Sequence, residues 1–258
     1  MRTHVSALAE RGADLGGLLA GRAPATGLAA AVRGQTADMQ TLEYAPSRAV
    51  DVFGEEGPAV LMWHGAQTDA RGAMRPLAES VAGHGLTVVV PDWNSHADDG
   101  GRSDLMGSVE FARERIGSGG LILVGWSLGG AAAAGLAISA DRLNVPVAHT
   151  VCLAGAFIAR NPITGTSLPA KFPPQPSPFT LLHGAADDVV PVDVSRSFAE
   201  TLQKNEWPVE YVELAADHGS IAGAVYDPGV DRYFAAEDSQ VLAVAADVAG
   251  RIAAVIGR

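Results

Sequence analysis

The stretch LILVGWSLGG, residues 121–130, joins an aliphatic run to a serine between glycines, and the alanine-rich segment AAAAGLAISA follows it. The aliphatic run is typical of a buried strand, and the small residues after it favour a closely packed helix. A serine at such a sharp strand-to-helix turn needs small neighbours, which Gly125, Gly129 and Gly130 supply. The hydroxyl of Ser127 would project above the sheet, beside the free N–H groups of the helix. This context predicts a nucleophile, whereas the motif alone would also fit an ordinary turn.

Strand-like segments recur along the chain, with segments of helical spacing between most of them. Several are continuously apolar, as strands are when both faces of a parallel sheet are covered. The first two follow each other directly and read as a hairpin. The pattern therefore predicts an α/β fold with a mostly parallel sheet and helices on both faces. The predicted strands are residues 39–45, 48–54, 59–65, 86–92, 120–126, 147–155, 179–185 and 209–215.

The remaining segments define the domain organisation. Residues 1–38 are rich in Ala and Gly and are predicted to form a helical or flexible N-terminal extension before a catalytic domain over residues 39–258. Residues 156–178 contain six prolines, which predicts an irregular excursion between two strands and no large cap domain. A final helix is predicted over Ser239–Ile256, where apolar residues form a stripe.

Composition limits the partners of this chain. It has 258 residues, a hydrophobic fraction of 48% and a formal charge of −11, with no run of Lys and Arg. Nucleic acid and membrane are therefore not expected partners. Glu10 and Asp14 stand where a secretion signal would need apolar residues, so a cytoplasmic location is predicted. The single cysteine, Cys152, is predicted to be a buried, unreactive thiol. Monomer and homodimer both stay open.

A seryl nucleophile needs a histidine base, and the base needs an orienting acid. His218, in ELAADHGS just after the last predicted strand, is the predicted base, because His149 and His183 lie within strands. Asp187 and Asp188 follow the preceding strand in HGAADDVVP, and their spacing favours Asp187 as the acid.

Acyl transfer also needs two fixed N–H donors for the oxyanion of the tetrahedral intermediate. The amide of Leu128, just after the nucleophile, is one predicted donor. The amide of Ala66 or Gln67, in the loop HGAQTDARG after the third strand, is the other. His64 is predicted to brace this loop.

Three aromatic residues are candidates for contact with the substrate. Phe157 lies in the proline-rich excursion and is predicted to line a small pocket. Trp126 and Trp93 are predicted to add to it, although a position in the core fits their pattern equally well. Because proline fixes φ and removes an amide donor, this excursion is not expected to form a long helical lid. A small fixed pocket favours short acyl chains, since the gain from each buried CH₂ stops at the wall.

Five motifs, in this order, resemble those of α/β-hydrolases of the esterase and lipase type. They are WHG at 63–65, VVVPD at 88–92, GWSLGG at 125–130, HGAADDVVP at 183–191 and DHG at 217–219. The resemblance extends from about Met39 to Ile256 and implies an α/β-hydrolase fold with a central eight-stranded sheet. The layout is similar to small carboxylesterases and arylformamidase-like hydrolases. It departs from many of them where His64-Gly65 is followed by Ala66-Gln67 instead of further glycines.

The expected activity is hydrolysis of short-chain or small aryl esters through an acyl-enzyme, with a small-molecule ester as the partner and no cofactor or metal. The alternatives are an arylformamidase, amidase or thioesterase on the same triad, and a non-catalytic hydrolase-like binding protein. Nucleotide binding is not indicated, because the glycines of GSGG (117–120) precede a strand instead of following one. The acidic loop HADDGGRSD (96–104) lacks the spacing of a calcium loop, so a solvated loop is expected there.

Overall fold

The computed structural model describes residues 38–55, 57–115 and 120–256. The N-terminal extension predicted over residues 1–38 lies outside these residues, apart from Asp38. The strands are β1 (Met39–Ala45), β2 (Arg48–Phe53), β3 (Ala59–Trp63), β4 (Thr87–Pro91), β5 (Leu121–Trp126), β6 (Val147–Leu153), β7 (Phe179–Gly184), β8 (Val209–Leu214), β9 (Ala224–Asp227) and β10 (Arg232–Ala235). The helices are α1 (Arg75–Ala82), α2 (Arg102–Arg113), α3 (Leu128–Ile138), α4 (Ala140–Leu143), α5 (Val192–Lys204) and α6 (Ser239–Ala253), with 3₁₀ turns at Arg71–Met74 and Ser220–Ala222.

Strands β1 to β8 form one sheet in the order β1-β2-β4-β3-β5-β6-β7-β8. Strand β2 runs antiparallel to both of its neighbours, and all other neighbouring strands are parallel. The predicted mostly parallel α/β sheet is therefore confirmed, with all eight predicted strands present. The apolar runs of the sequence correspond to strands covered on both faces, because every residue of β3, β4, β5 and β7 is buried.

Helices cover both faces of this sheet, as predicted. Successive residues of β3 point to opposite sides, so that Val60 packs with α1 and α6, whereas Leu61 packs with α2 and α3. Helix α5 covers β7 through Phe198 and Leu202. Helix α6 begins after Asp238, whose carboxylate caps its first amides, and ends at Ala253, slightly before the predicted end. No helix among the described residues is long and apolar enough to cross a membrane.

The segment between β6 and β7 is irregular, as the prolines predicted. Residues 154–178 are all described and contain neither helix nor strand. Asn161 organises the first part of this segment, because its Oδ1 accepts hydrogen bonds from the amides of Ile163 at 2.9 Å and Thr164 at 3.2 Å. No cap domain is built here. Cys152, just before the segment, is 1% exposed, and burial raises the pKa of its thiol.

A hairpin formed by β9 and β10 is an element that the sequence did not predict. The two strands pair antiparallel from Asp227 and Arg232 to Ala224 and Ala235. The hairpin follows the loop that carries His218 and precedes α6, and it contacts the loop after β3. It therefore stands at the carboxyl edge of the parallel strands, which is where the predicted catalytic residues lie.

Candidate active site

Ser127 occupies a strained turn between β5 and α3. Its φ of 57° and ψ of −118° are unusual for a residue other than glycine. Backbone hydrogen bonds hold this conformation. The Ser127 amide donates to the carbonyl of Leu153 at 2.9 Å, and its carbonyl accepts from the amides of Gly130 and Ala156, both at 3.0 Å. The turn is thus tied to β6, to the segment after β6 and to the first turn of α3.

Glycines are needed here because the helix approaches the sheet very closely. A Cβ atom on Gly129 would overlap the carbonyl oxygens of Trp63 and His64, and a Cβ atom on Gly125 would overlap the backbone of Gly129. The small residues that pointed to a nucleophile turn therefore correspond to real steric limits.

His218 and Asp187 form a direct pair beside this turn. The Nδ1 atom of His218 lies 2.8 Å from Oδ2 of Asp187, whose side chain is fully buried. The neighbouring Asp188 is exposed and makes no such contact. Of the two aspartates, Asp187 is therefore the one in contact with the His218 ring.

A second histidine contacts the same carboxylate. The Nε2 atom of His183 lies 3.2 Å from Oδ2 of Asp187 and 2.9 Å from the carbonyl of Val190, and its Nδ1 lies 2.7 Å from Oγ of Ser195. With a proton on Nε2, the Ser195 hydroxyl donates to Nδ1. Burial by itself raises the pKa of Asp187, but hydrogen bonds from His183, from His218 and from a backbone amide outweigh it. The pKa therefore lies well below its usual range, and the acid stays ionised.

Trp126 connects the turn of Ser127 to the loop of His218. Its Nε1 donates a hydrogen bond to the carbonyl of His218 at 2.8 Å, and the two rings lie 5.4 Å apart. Between Ser127 Oγ and the His218 ring, no hydrogen bond is present in the described part of the chain. Catalytic hydrogen bonds are often long without substrate and shorten when it binds.

The aromatic residues predicted to contact the substrate lie elsewhere. Trp126 is 2% exposed and Trp93 is fully buried, so both indoles lie in the core and neither lines a substrate pocket. Trp93 donates from Nε1 to the carbonyl of His64 at 3.2 Å. Phe157 stacks on Phe198 with ring centroids 4.0 Å apart, and it lines a separate shallow cavity of about 270 Å³.

The predicted oxyanion donors belong to two segments next to Ser127. Leu128 begins α3, while Ala66 and Gln67 belong to the loop that passes over the serine. A Cβ atom on Gly65, in the same loop, would lie 3.3 Å from the Cβ atom of Ser127. Within the described residues, none of the three amides donates a hydrogen bond to another group. A role as oxyanion donor requires an N–H group without such an acceptor, and all three meet this requirement.

His64 braces this loop as a neutral side chain. Its Nδ1 donates to the carbonyl of Gly65 at 2.9 Å, and its Nε2 accepts from the amides of Ala70 and Trp93, both at 3.3 Å. Burial lowers the pKa of His64 to about 3. Because Nε2 accepts two amides, a proton there would break both hydrogen bonds.

A groove of about 1100 Å³ opens beside His218, and the β9–β10 hairpin forms one of its walls. Gln67 joins the hairpin to the oxyanion loop, since its side chain donates to the carbonyl of Asp231 at 3.1 Å and accepts from the amide of Tyr233 at 2.9 Å. Arg232 adds a hydrogen bond to the carbonyl of Thr68 at 2.9 Å. The lining residues are Ala66, Gln67, Thr68, His96, Ala186, Asp188, Val189, Asp217, His218, Gly219, Ala224, Val225, Tyr226, Asp231, Arg232, Tyr233 and Val241.

Sequence reasoning missed the hairpin residues of this groove. The turn residues Asp227-Pro228-Gly229, between two short β-prone runs, were the available signal for a hairpin. In the described part of the chain, no group of three or more His, Cys, Asp or Glu side chains is arranged to hold a metal ion.

Comparisons with known proteins bear on this geometry. Among solved structures, a bacterial heroin esterase has a TM-score of 0.61 and 16% identity, covering 89% of this chain and 87% of that one. A putative esterase from Staphylococcus aureus has a TM-score of 0.64 and 12% identity, covering 84% and 83%. An esterase of Thermogutta terrifontis, bound to propionate, has a TM-score of 0.61 and 16% identity, covering 87% and 96%.

These identities are low, so the three structures show a likeness of fold alone. No curated protein matches the chain. The model of the alpha/beta hydrolase family matches residues 60–256, which is well over half of the chain. The fold, the family match and the order of the motifs agree, and this protein belongs to the alpha/beta hydrolase family.

Proposed function

We propose that this protein is a serine hydrolase that cleaves short-chain or small aryl carboxylic esters through an acyl-enzyme intermediate. The observation that carries the proposal is the 2.8 Å hydrogen bond between His218 and the buried carboxylate of Asp187, beside the strained turn of Ser127. A histidine oriented by an ionised acid next to a partly exposed seryl hydroxyl is the arrangement that activates a serine.

In the first half-reaction, Nε2 of His218 takes the proton of Ser127 as Oγ attacks the carbonyl carbon of the ester. Asp187 keeps the other ring proton on Nδ1, so that Nε2 is free to act as base, and it stabilises the imidazolium that forms. The tetrahedral oxyanion accepts hydrogen bonds from the amide of Leu128 and from that of Ala66 or Gln67.

Collapse of this intermediate breaks the bond to the alcohol, which leaves with the proton of His218. Water then enters, gives a proton to His218 and attacks the acyl-enzyme. The second tetrahedral intermediate releases the carboxylic acid and returns the proton to Ser127. The same residues thus serve both half-reactions.

The preference for small acyl groups is supported by the segment after β6. Residues 154–178 form no helix that could act as a lid over a long-chain site. The test is a series of p-nitrophenyl esters from acetate to palmitate, compared by kcat/KM. We expect a maximum between two and six acyl carbons, and a maximum at twelve or more carbons would contradict the proposal.

The enzyme claim itself is tested with a fluorophosphonate probe followed by peptide mapping. We expect the label on Ser127 and no label on Ser127→Ala. The matched control is Ser197→Ala, an exposed serine on α5, which should label like wild type. A label on another residue, or ester hydrolysis by Ser127→Ala within tenfold of wild type, would reject Ser127 as the nucleophile.

A further inference from the structure

We propose that the groove beside His218 binds a positively charged alcohol group, so that esters of amino alcohols and quaternary ammonium alcohols are the preferred substrates. This inference rests on the proposed function and adds the chemical class of the leaving group. Three observations support it: the groove lies against His218, two tyrosine rings form part of its wall, and carboxylates line it.

The groove lies where the alcohol must leave. His218 protonates the departing oxygen, so the alcohol part of the ester sits against this ring. His218 lines the groove, together with Ala66 and Gln67 of the oxyanion loop. Leu128 lines a different cavity of about 350 Å³, which His218 does not line. Because His218 lines the groove of about 1100 Å³, we assign this groove to the leaving group.

Two tyrosine rings stand in the wall of the groove. The ring centroids of Tyr226 and Tyr233 lie 5.1 Å apart, with their planes inclined by 50°. Tyr233 also lies 6.0 Å from the ring of His218 and packs edge-on against Trp126 at 5.0 Å. Inclined aromatic rings around one space attract a desolvated ammonium group through their quadrupoles. An alkylammonium group in the groove would meet this wall close to the catalytic histidine.

Carboxylates outnumber cations around the same space. Asp188, Asp217 and Asp231 line the groove, against the single guanidinium of Arg232. Arg232 is engaged by the carbonyl of Thr68 at 2.9 Å.

The three carboxylates differ in how far they are already engaged. Asp217 accepts the amides of Gly219 and Ser220, and Asp231 accepts the hydroxyl of Tyr226 at 2.5 Å. Asp188 is exposed and has no hydrogen bond or ion pair with the described residues. It is therefore the carboxylate free to meet a substrate cation.

The same carboxylates also affect the pKa of Tyr233. Burial first, and then the charges of Asp187, Asp188 and Asp217, raise its pKa to about 12. The phenol resists losing its proton mainly because burial disfavours a charge, and in addition because a negative charge is unfavourable beside these carboxylates. The same carboxylates favour a cation at this position.

The test compares acetylcholine with 3,3-dimethylbutyl acetate, in which a carbon atom replaces the ammonium nitrogen at nearly equal size. Each kcat/KM is divided by the rate of the same ester in hydroxide, which removes the difference in intrinsic reactivity. We expect the charged ester to be preferred by about tenfold or more, a value consistent with one cation–π contact and one nearby carboxylate. A ratio near one would overturn the proposal.

Two variants locate the preference. Asp188→Asn and Tyr226→Leu should each reduce the ratio at least about threefold, whereas Asp141→Asn, an equal charge change at an exposed residue outside the groove, should leave it unchanged. An equal fall in Asp141→Asn would mean that the net charge of the protein, and not the groove, selects the cation. That result would also overturn the proposal.

Binding of the free alcohols separates this inference from the proposed function. Choline and 3,3-dimethylbutan-1-ol are titrated against wild type and Asp188→Asn by saturation-transfer NMR. Tighter binding of choline to wild type, lost in the variant, supports the groove even if no ester is hydrolysed, in which case only the proposed function fails. Equal binding of the two alcohols rejects the cation site, whether or not the protein proves to be an esterase.

Discussion

The indole nitrogen of Trp126 donates a hydrogen bond to the carbonyl oxygen of His218 over 2.8 Å, although 92 positions separate the two residues in the chain. Trp126 directly precedes Ser127, so this bond fixes the turn of the proposed nucleophile relative to the loop of the proposed base. It also explains why Trp126 is buried, because its ring supports His218 from behind and has no surface left for a substrate.

The pair formed by His218 and Asp187 gives the first prediction. In Asp187→Asn the amide favours the wrong imidazole tautomer, and turnover of p-nitrophenyl acetate should fall by about ten thousandfold, as in the reference serine protease triad. Asp188→Asn should cost far less, because Asp188 does not touch His218. If steady-state kinetics instead found Asp188→Asn the more damaging change, the assignment of the acid would be off by one residue.

Ser195→Ala tests whether the second histidine supports the acid. The substitution removes the hydroxyl that donates to His183, and an unmade buried hydrogen bond of this kind costs about 1–3 kcal/mol. We expect lower stability in urea unfolding and a modest fall in kcat with little change in KM. Ser197→Ala, on the exposed side of the same helix, is the control and should match wild type. Unchanged stability and kcat in Ser195→Ala would show that His183 needs no such partner.

The buried His64 gives a pH-dependent stability. Its pKa is lowered from 6.5 in the unfolded chain to about 3 in the fold, so below pH 6.5 the unfolded state binds a proton that the folded state rejects. Stability should therefore fall as the pH decreases from 6.5 towards 3, and this one group should account for about 2 kcal/mol between pH 7 and pH 5.

The measurement is the free energy of unfolding in urea at both pH values for wild type and His64→Gln. The His64→Gln variant should be less stable than wild type at pH 7, but its free energy of unfolding should fall less between pH 7 and pH 5. His84→Gln, at an exposed histidine, should retain the wild-type dependence. Equal pH dependence in wild type and His64→Gln would speak against a neutral, buried His64.

The close approach of α3 to the sheet predicts opposite effects of two alanine substitutions. Gly129→Ala inserts a methyl group against the carbonyl oxygens of Trp63 and His64, so it should destabilise the fold by about 1–3 kcal/mol or more. Gly250→Ala, in the interior of α6 with open space around it, should stabilise by about 0.5–1 kcal/mol. Thermal unfolding of both variants checks this, and a stable Gly129→Ala would remove the steric reason for the glycine.

The sheet could be predicted because its strands carry the information locally. A run of apolar residues buried on both faces, as in β4 or β5, can be identified without knowing its partners. The hairpin of β9 and β10 could not be identified in this way. Its strands have four residues each, and most of their side chains are exposed or half-buried, so no buried apolar run distinguishes them from a loop.

The residues of the candidate site likewise fall into a group that the sequence predicts and a group that it does not. Ser127, Asp187 and His218 each follow a strand that the sequence makes evident, and parallel strands bring their carboxyl ends to one edge. Tyr226 and Tyr233 enter the groove only because the hairpin folds back on Gln67. The contact of Gln67 with Asp231 joins residues 164 positions apart, and a local sequence pattern does not predict such a contact.

The backbone conformation of Ser127 favours glycine, whereas the proposed chemistry requires a serine at this position. Glycine adopts a φ of 57° and a ψ of −118° without steric cost, whereas a serine held there stores of order 1 kcal/mol of strain. Replacing the whole CH₂OH side chain by a hydrogen atom, as in Ser127→Gly, would remove this strain. The serine therefore costs folding energy that can be read from two backbone angles, and the proposed role of its oxygen would give a reason for that cost.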